Sequence, residues 1–447
     1  MSPALGRVDA RSVEGWQDCV VHVTDLAPLR DHDTRWVVGG AVAWSILDIC
    51  LGLFGGLFLL RAGGGLLSAA LWLLPLGFTL GLVFLLGRRV FARAGTRPFR
   101  LASPVGAMVV AMAFASLGAR AAEPPITILL SAIWALAQGL HWSAFNLVEF
   151  RRVPSVDRAP YFALLSRLGL VVAAVVPLGV GWFVGRFTDL TGYRTLFALL
   201  AVVGAIVFFA AWHTPTHRTP VGRGRLRDTI ATSAGRWALA AIAIRGLWDL
   251  GGQRIMLPLL LLSVIGSEEG FGVYQAANAV ALFAGFSPSA RSLARVGVVR
   301  ALQLGMLGML IANVLFVGIP QAWILFVVVP LSGVFVALWG NAAFVANQLL
   351  IDRFVGDDAY TFIVGRELAL GAGRTLAAVV AVGAAVAFGD AAARPLMAVY
   401  LLSPVAAAFC LERALGGADD DLRPAAPVPG TPERVTTVIS RGGTISS

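Results

Sequence analysis

The chain reads as an all-α membrane protein, with twelve transmembrane helices in two pseudo-symmetric six-helix bundles. Three observations predict this: its composition, the length of its apolar blocks and the distribution of its arginines. Of the 447 residues, 58% are hydrophobic and only 13% charged, with a mean hydropathy of +0.80. Soluble domains carry about 25% charge, and no single core hides this much apolar surface. The apolar residues fall in blocks of about twenty, enough to cross a hydrocarbon core of about 30 Å. Period-two alternation is absent from these blocks, which argues against an outer-membrane barrel.

The blocks place spans at 37–60, 66–87, 101–119, 125–147, 161–185, 194–212, 236–265, 271–289, 299–319, 322–351, 361–388 and 392–412. Domain organisation follows: a polar segment 1–35, a first bundle 36–212, a central loop 213–235, a second bundle 236–412 and a tail 413–447. The tail is rich in Pro, Gly, Thr and charge and reads as disordered. The first 35 residues show no apolar h-region and no cleavage site, so no removable signal peptide is expected.

All 35 basic residues are Arg, which with 25 acids gives a net charge of +10. The loops on one side of the expected membrane hold eighteen of them, and the opposite loops only Arg61, Arg120, Arg186, Arg194 and Arg394. The positive-inside rule then puts both termini and the central loop in the cytoplasm of a bacterial inner membrane. Because the arginines sit in short loops between apolar spans, orientation explains them better than nucleic-acid binding, and no nucleic-acid partner is expected.

Signals recur between the halves at a nearly constant offset. Asp48 follows Trp36 by twelve residues, as Asp249 follows Trp237. Arg89-x-x-Ala92-Arg93-x-Gly95 after span two matches Arg291-x-x-Ala294-Arg295-x-Gly297 after span eight. Tyr161 and Arg167 open span five as Tyr360 and Arg366 open span eleven. Six spans return the chain to its starting side, so the halves form a parallel repeat.

On these residues the chain resembles the major facilitator superfamily over nearly all of 35–412. That family carries Gly-x-x-x-Asp-Arg-x-Gly-x-Arg-Arg between spans two and three. Here Arg93, Gly95 and Arg97 match, Ala92 replaces the acid and the first Gly is displaced to Gly87. Gly169, Pro177, Gly179 and Gly181 in span five are similar to the antiporter motif of the family's exporters, a tilt toward export. The resemblance implies a monomeric secondary transporter in the lipid bilayer, moving a small molecule by alternating access with protons as the coupling ion. It also implies a cavity lined by spans one, four, seven and ten. Two rival readings are a translocase for lipid or lipid-linked substrates and a non-transporting scaffold or sensor that uses its N-terminal segment or its tail.

Ionisable groups in a bilayer are costly, so each is a candidate by default. Arg245, Asp249 and Gln253 share one face of span seven at i, i+4 and i+8. Asp48 lies on span one, about 20 Å from its start by helical rise, and either Asp48 or Asp249 is expected to carry the proton. Span four offers His141, Trp142 and Asn146, and span ten Trp339 and Asn341. Glu367 and Arg374 are expected to pair within the bundle. A gating role is expected for Arg89, Arg93, Gly95, Arg97, Arg291, Arg295, Gly297, Arg167 and Arg366. With no Lys, a phosphate-cradling Gly-x-x-x-x-Gly-Lys loop is impossible. Cys19, Cys50 and Cys410 show no metal spacing. No enzymatic activity, cofactor or metal is expected.

Overall fold

A computed structural model describes residues 32–152, 158–214, 230–319, 321–354 and 359–421, and no strand occurs among them. The first half comprises α1 (His32–Leu47), α2 (Gly55–Leu59), α3 (Gly65–Ala94), α4 (Arg97–Leu117), α5 (Pro124–Arg152), α6 (Arg158–Val184) and α7 (Thr191–His213). The second comprises α8 (Ser233–Gly246), α9 (Leu257–Ile265), α10 (Glu268–Val296), α11 (Val298–Gly318), α12 (Leu325–Phe354), α13 (Ala359–Phe388), α14 (Ala393–Tyr400) and α15 (Ser403–Asp421). Residues 413–421, expected in the tail, are therefore helical, and 422–447 lie outside the described residues along with 215–229 of the central loop.

Among the described residues, nine helical stretches are long and apolar enough to cross a membrane, and the expected count of twelve is not reproduced by them. Two of the nine, Thr34–Ala94 and Thr361–Gly416, are 61 and 56 residues long, and Glu268–Val296 is not among them. The two long stretches turn back on themselves where glycine adopts positive φ. Gly63 and Gly65, at φ 90° and 58°, end the first rise of the chain, and Gly389, at φ 59°, ends α13. After each turn the chain packs on what precedes it: Trp72 lies against Gly55, and the Tyr400 hydroxyl donates to the Ala377 carbonyl at 2.8 Å.

The outer surface is apolar, with Leu129, Val175, Val202 and Val386 all exposed. Exposed tryptophans sit near helix ends, Trp212 under Arg97 at 4.4 Å and Trp182 under Arg186 at 4.5 Å. This is the pattern of a lipid-facing belt with interfacial anchors, and the chain is a multi-pass membrane protein.

The halves meet along α3 with α13 and α6 with α10. Glycines permit the approach: Gly77 faces the backbone of Thr375, and Gly181 faces Gly272 and the Glu268 carbonyl. At the end bearing the arginine-poor loops, Arg61 makes a bidentate pair with Glu268, and Tyr193 donates to the same carboxylate at 3.3 Å. Asp390 accepts from the Leu66 N–H at 2.7 Å, capping α3 from the other half. Burial pushes the Glu268 carboxyl up, but the bonds and charge of Arg61, with Tyr193, outweigh it and hold the group below its ordinary 4.5. A lowered value means the pair is intact above that pH and is lost as pH falls through the lowered value. Glu268→Gln should therefore raise, at neutral pH, the rate at which an impermeant thiol reagent reaches a cysteine placed at Val184, which is buried on α6 next to Gly185, where that helix faces Glu269. An unchanged rate in a background lacking the native cysteines would show that the pair does not hold the halves together.

Candidate functional site

Asp48 and Asp249 both fall where the winding changes. Asp48 opens a π-helical segment, Asp48–Phe54, and Asp249 lies in a second, Leu247–Met256. Each segment contains glycine, Gly52 in the first and Gly251 with Gly252 in the second, which weakens the preference for α winding. A π-helix repeats at i+5 rather than i+4, and such segments are frequent at functional sites. This corrects the expectation for span seven. Arg254, five residues after Asp249, takes the inward place assigned by α periodicity to Gln253, which is exposed and outside the cavity lining.

Between the halves lies a cavity of about 210 Å³. Its polar lining is Asp48, Gln138 and Trp142 from the first half and Arg254, Glu367 and Arg374 from the second, with Leu76, Leu80 and Leu370 as its apolar wall. On one side a relay runs from Trp142, whose indole N–H donates to Gln138 Oε1 at 2.7 Å, to the Gln138 amide, which donates to Asp48 Oδ1. On the other, Arg374 Nε donates to Asp249 Oδ2 at 2.6 Å, and Nη2 lies equally close in the same ion pair. Arg366 likewise closes on Glu367 Oε1, at 3.0 and 2.7 Å. Arg245 lies over the Trp339 ring at 5.1 Å, within electrostatic reach of Asp249 and Arg374.

Arg254 is different. Among the described residues it makes no hydrogen bond or ion pair, although it feels the charges of both Asp249 and Asp48. Gly52 separates it from Asp48: a Cβ there would sit 3.4 Å from Asp48 Oδ1 and 3.9 Å from Arg254 Nη1.

Several expected site residues lie elsewhere. His141 is buried and stacks on Trp44 at 3.9 Å beside a separate void of about 20 Å³ that includes Arg100, so it packs as an aromatic ring. Asn146 bonds its own helix at the Trp142 carbonyl, 2.9 Å away. Asn341 donates to Ser289 Oγ at 2.6 Å, joining α12 to α10 inside the second half. No described residue of α12 lines the cavity; α3 and α13 supply walls in its place. Of the expected gating residues, Gly95 and Gly297 terminate α3 and α10 with φ of 71° and 81°. Arg89, Arg93, Arg291 and Arg295 are exposed, while Arg167 is half-buried in α6. Gln138 and Arg254 were not expected. Treating every polar residue of spans four and seven as a candidate would have found both.

Three solved structures match the fold. The nucleoside transporter NupG matches with a TM-score of 0.62 at 11% identity, over 86% of this chain and 98% of its own. A bacterial homologue of the iron transporter ferroportin, in its inward-facing state, matches with 0.63 at 12%, over 92% and 100%. The chain has the major facilitator fold. A bacterial metal transporter also matches this fold, with 0.58 at 15%, over 86% and 99%. No family model and no curated protein matches the sequence. In the major facilitator fold the two halves flank a central site near the bilayer midplane, and here the charged cavity occupies the boundary between the halves.

Proposed function

We propose that this protein is a secondary transporter that carries a small solute through the central cavity by alternating access. One observation carries the reading: a cavity between the two halves holds charged groups from both, in a protein whose outer surface is apolar. Ionisable groups at that depth are expensive unless they serve a pathway. A scaffold gains nothing from them, and a lipid tail would have to share the cavity with four charged side chains. The Arg61–Glu268 and Leu66–Asp390 contacts join the halves at the arginine-poor end, which the positive-inside rule makes the extracellular end. This supports an inward-facing state with cytoplasmic termini. The same view is supported by the likeness to the inward-facing ferroportin homologue, TM-score 0.63, against 0.58 for the outward-facing one.

Asp48 is the coupling carboxylate in this reading. Asp249 is committed to Arg374, whereas Asp48 lines the cavity with only Gln138 bonded to it, on one oxygen, among the described residues. The glycines of span five lean the direction toward export. Proteoliposomes loaded with a pH-sensitive dye test both points with a panel of small solutes. Wild-type protein should move protons when its solute is added, and Asp48→Asn should reduce that response by about tenfold or more, the scale of a lost proton-transfer group. A full response in the variant would remove Asp48 from the coupling path.

A further inference from the structure

We infer that the solute is a zwitterion of amino-acid type, with an ammonium and a carboxylate close together and an apolar side group. This rests on the transport reading only for its physiological meaning; the binding site itself is argued from the cavity. The lining carries two carboxylates, Asp48 and Glu367, and two guanidiniums, Arg254 and Arg374, so it has no net charge to attract a simple anion or cation. Two of the four are already satisfied: Arg374 by Asp249, and Glu367 by Arg366. What remains is one open negative group and one open positive group, Asp48 and Arg254, which face the same space beside Gly52 without pairing with each other.

A carboxylate of the solute takes the Arg254 guanidinium, the geometry for which that fork is suited. Its ammonium takes the Asp48 oxygen that Gln138 leaves unbonded. An anion alone meets Asp48 across Gly52, and a cation alone meets Arg254, so either leaves one buried charge unanswered. Leu76, Leu80, Leu370 and the Trp142 ring form the surface for the side group. At about 210 Å³ the cavity holds the liquid volume of about seven waters, room for a solute of this size.

The test uses the full chain in detergent and follows tryptophan fluorescence and heat of binding. The ligands are leucine and phenylalanine as zwitterions, 4-methylpentanoate as the anion without an ammonium, and leucinamide as the cation without a carboxylate. At least one zwitterion should bind in the millimolar range or tighter, with both single-charge analogues weaker by roughly tenfold or more, the loss of one charge-assisted bond. Arg254→Gln and Asp48→Asn should each weaken the zwitterion comparably. Gly52→Ala places its methyl in ordinary contact with Asp48 and Arg254, so it should fold as wild type and still weaken binding, which keeps the test valid if the charge variants misfold. Equal binding of either analogue, binding unaffected by Gly52→Ala, or no binding of any zwitterion overturns the inference. Uptake of the labelled zwitterion into proteoliposomes separates the two claims. Binding without flux leaves this site intact and removes the transport reading. Solute-driven proton flux without zwitterion binding does the reverse.

Discussion

Asp249→Asn is expected to destabilise the protein by about 3–5 kcal/mol, the scale for breaking a buried ion pair from one side. The cause is what remains. Arg374 has only 12% of its side chain exposed and loses the anion that two of its nitrogens approach to 2.6 Å, one of them as a hydrogen-bond donor. Arg245, which also feels the Asp249 charge, is left beside Arg374 with Glu367 as its remaining opposite charge, and Arg254 is left with Asp48 alone. The amide of Asn accepts one of the lost hydrogen bonds but none of the charge. Asp249→Asn combined with Arg374→Gln should recover much of the loss, because replacing both members of a buried pair is far cheaper than removing one. Thermal unfolding of the detergent-purified protein measures both variants. A single variant with wild-type stability would show that water already solvates Arg374.

Gly77→Ala is the second large effect, and here two terms oppose each other. Helix propensity favours Ala over Gly by about 1 kcal/mol, whereas overpacking a close contact costs about 1–3 kcal/mol. A Cβ at Gly77 meets the backbone N and Cα of Thr375, which has no rotamer with which to retreat, and Gly371 faces the Gly77 carbonyl in turn. Sterics therefore win, and the variant should lower the unfolding midpoint while prising α3 from α13. Gly179→Ala is the control: it has nothing within 4 Å, so propensity acts alone and the midpoint should hold or rise slightly. Equal behaviour of the two variants would show that the halves do not press together at Gly77.

The fold was legible because lipid imposes a coarse rule that composition reveals directly. Apolar blocks, the arginine asymmetry and the two-half repeat each survive small errors of boundary. The reversals at Gly63–Gly65 and Gly389 fall in the gaps 61–65 and 389–391 that the apolar blocks leave, while the nine membrane-length stretches do not confirm the count of twelve crossings. Within the site, Asp48 and Trp142 were identifiable as polar or amphipathic groups in spans of a pseudo-symmetric bundle, and both line the cavity. Arg254 was hidden because the α period points to Gln253, whereas the chain winds there as a π-helix. The partners of Asp249 and Glu268 were hidden for another reason: they lie 125 and 207 residues away in sequence, and no local pattern links them. His141 was overvalued because an imidazole between Trp44 and Phe145 behaves as a ring before it behaves as a base.

The winding at Leu247–Met256 also alters how mutations in this stretch should be read. A π turn holds more residues than the 3.6 of an α turn, so the segment carries surplus chain. Losing one residue there is a smaller insult than losing one in an ordinary helix, because the turn can tighten to α and keep the flanking helices α8 and α9 in register. What it forfeits depends on the position lost: between Asp249 and Arg254 the two become four apart and still share an α face, whereas elsewhere in the segment they stay five apart and no longer do. Length variation at 250–253 would then spare both folding and the cavity, while loss at 247, 248, 255 or 256 would spare folding and strike the cavity.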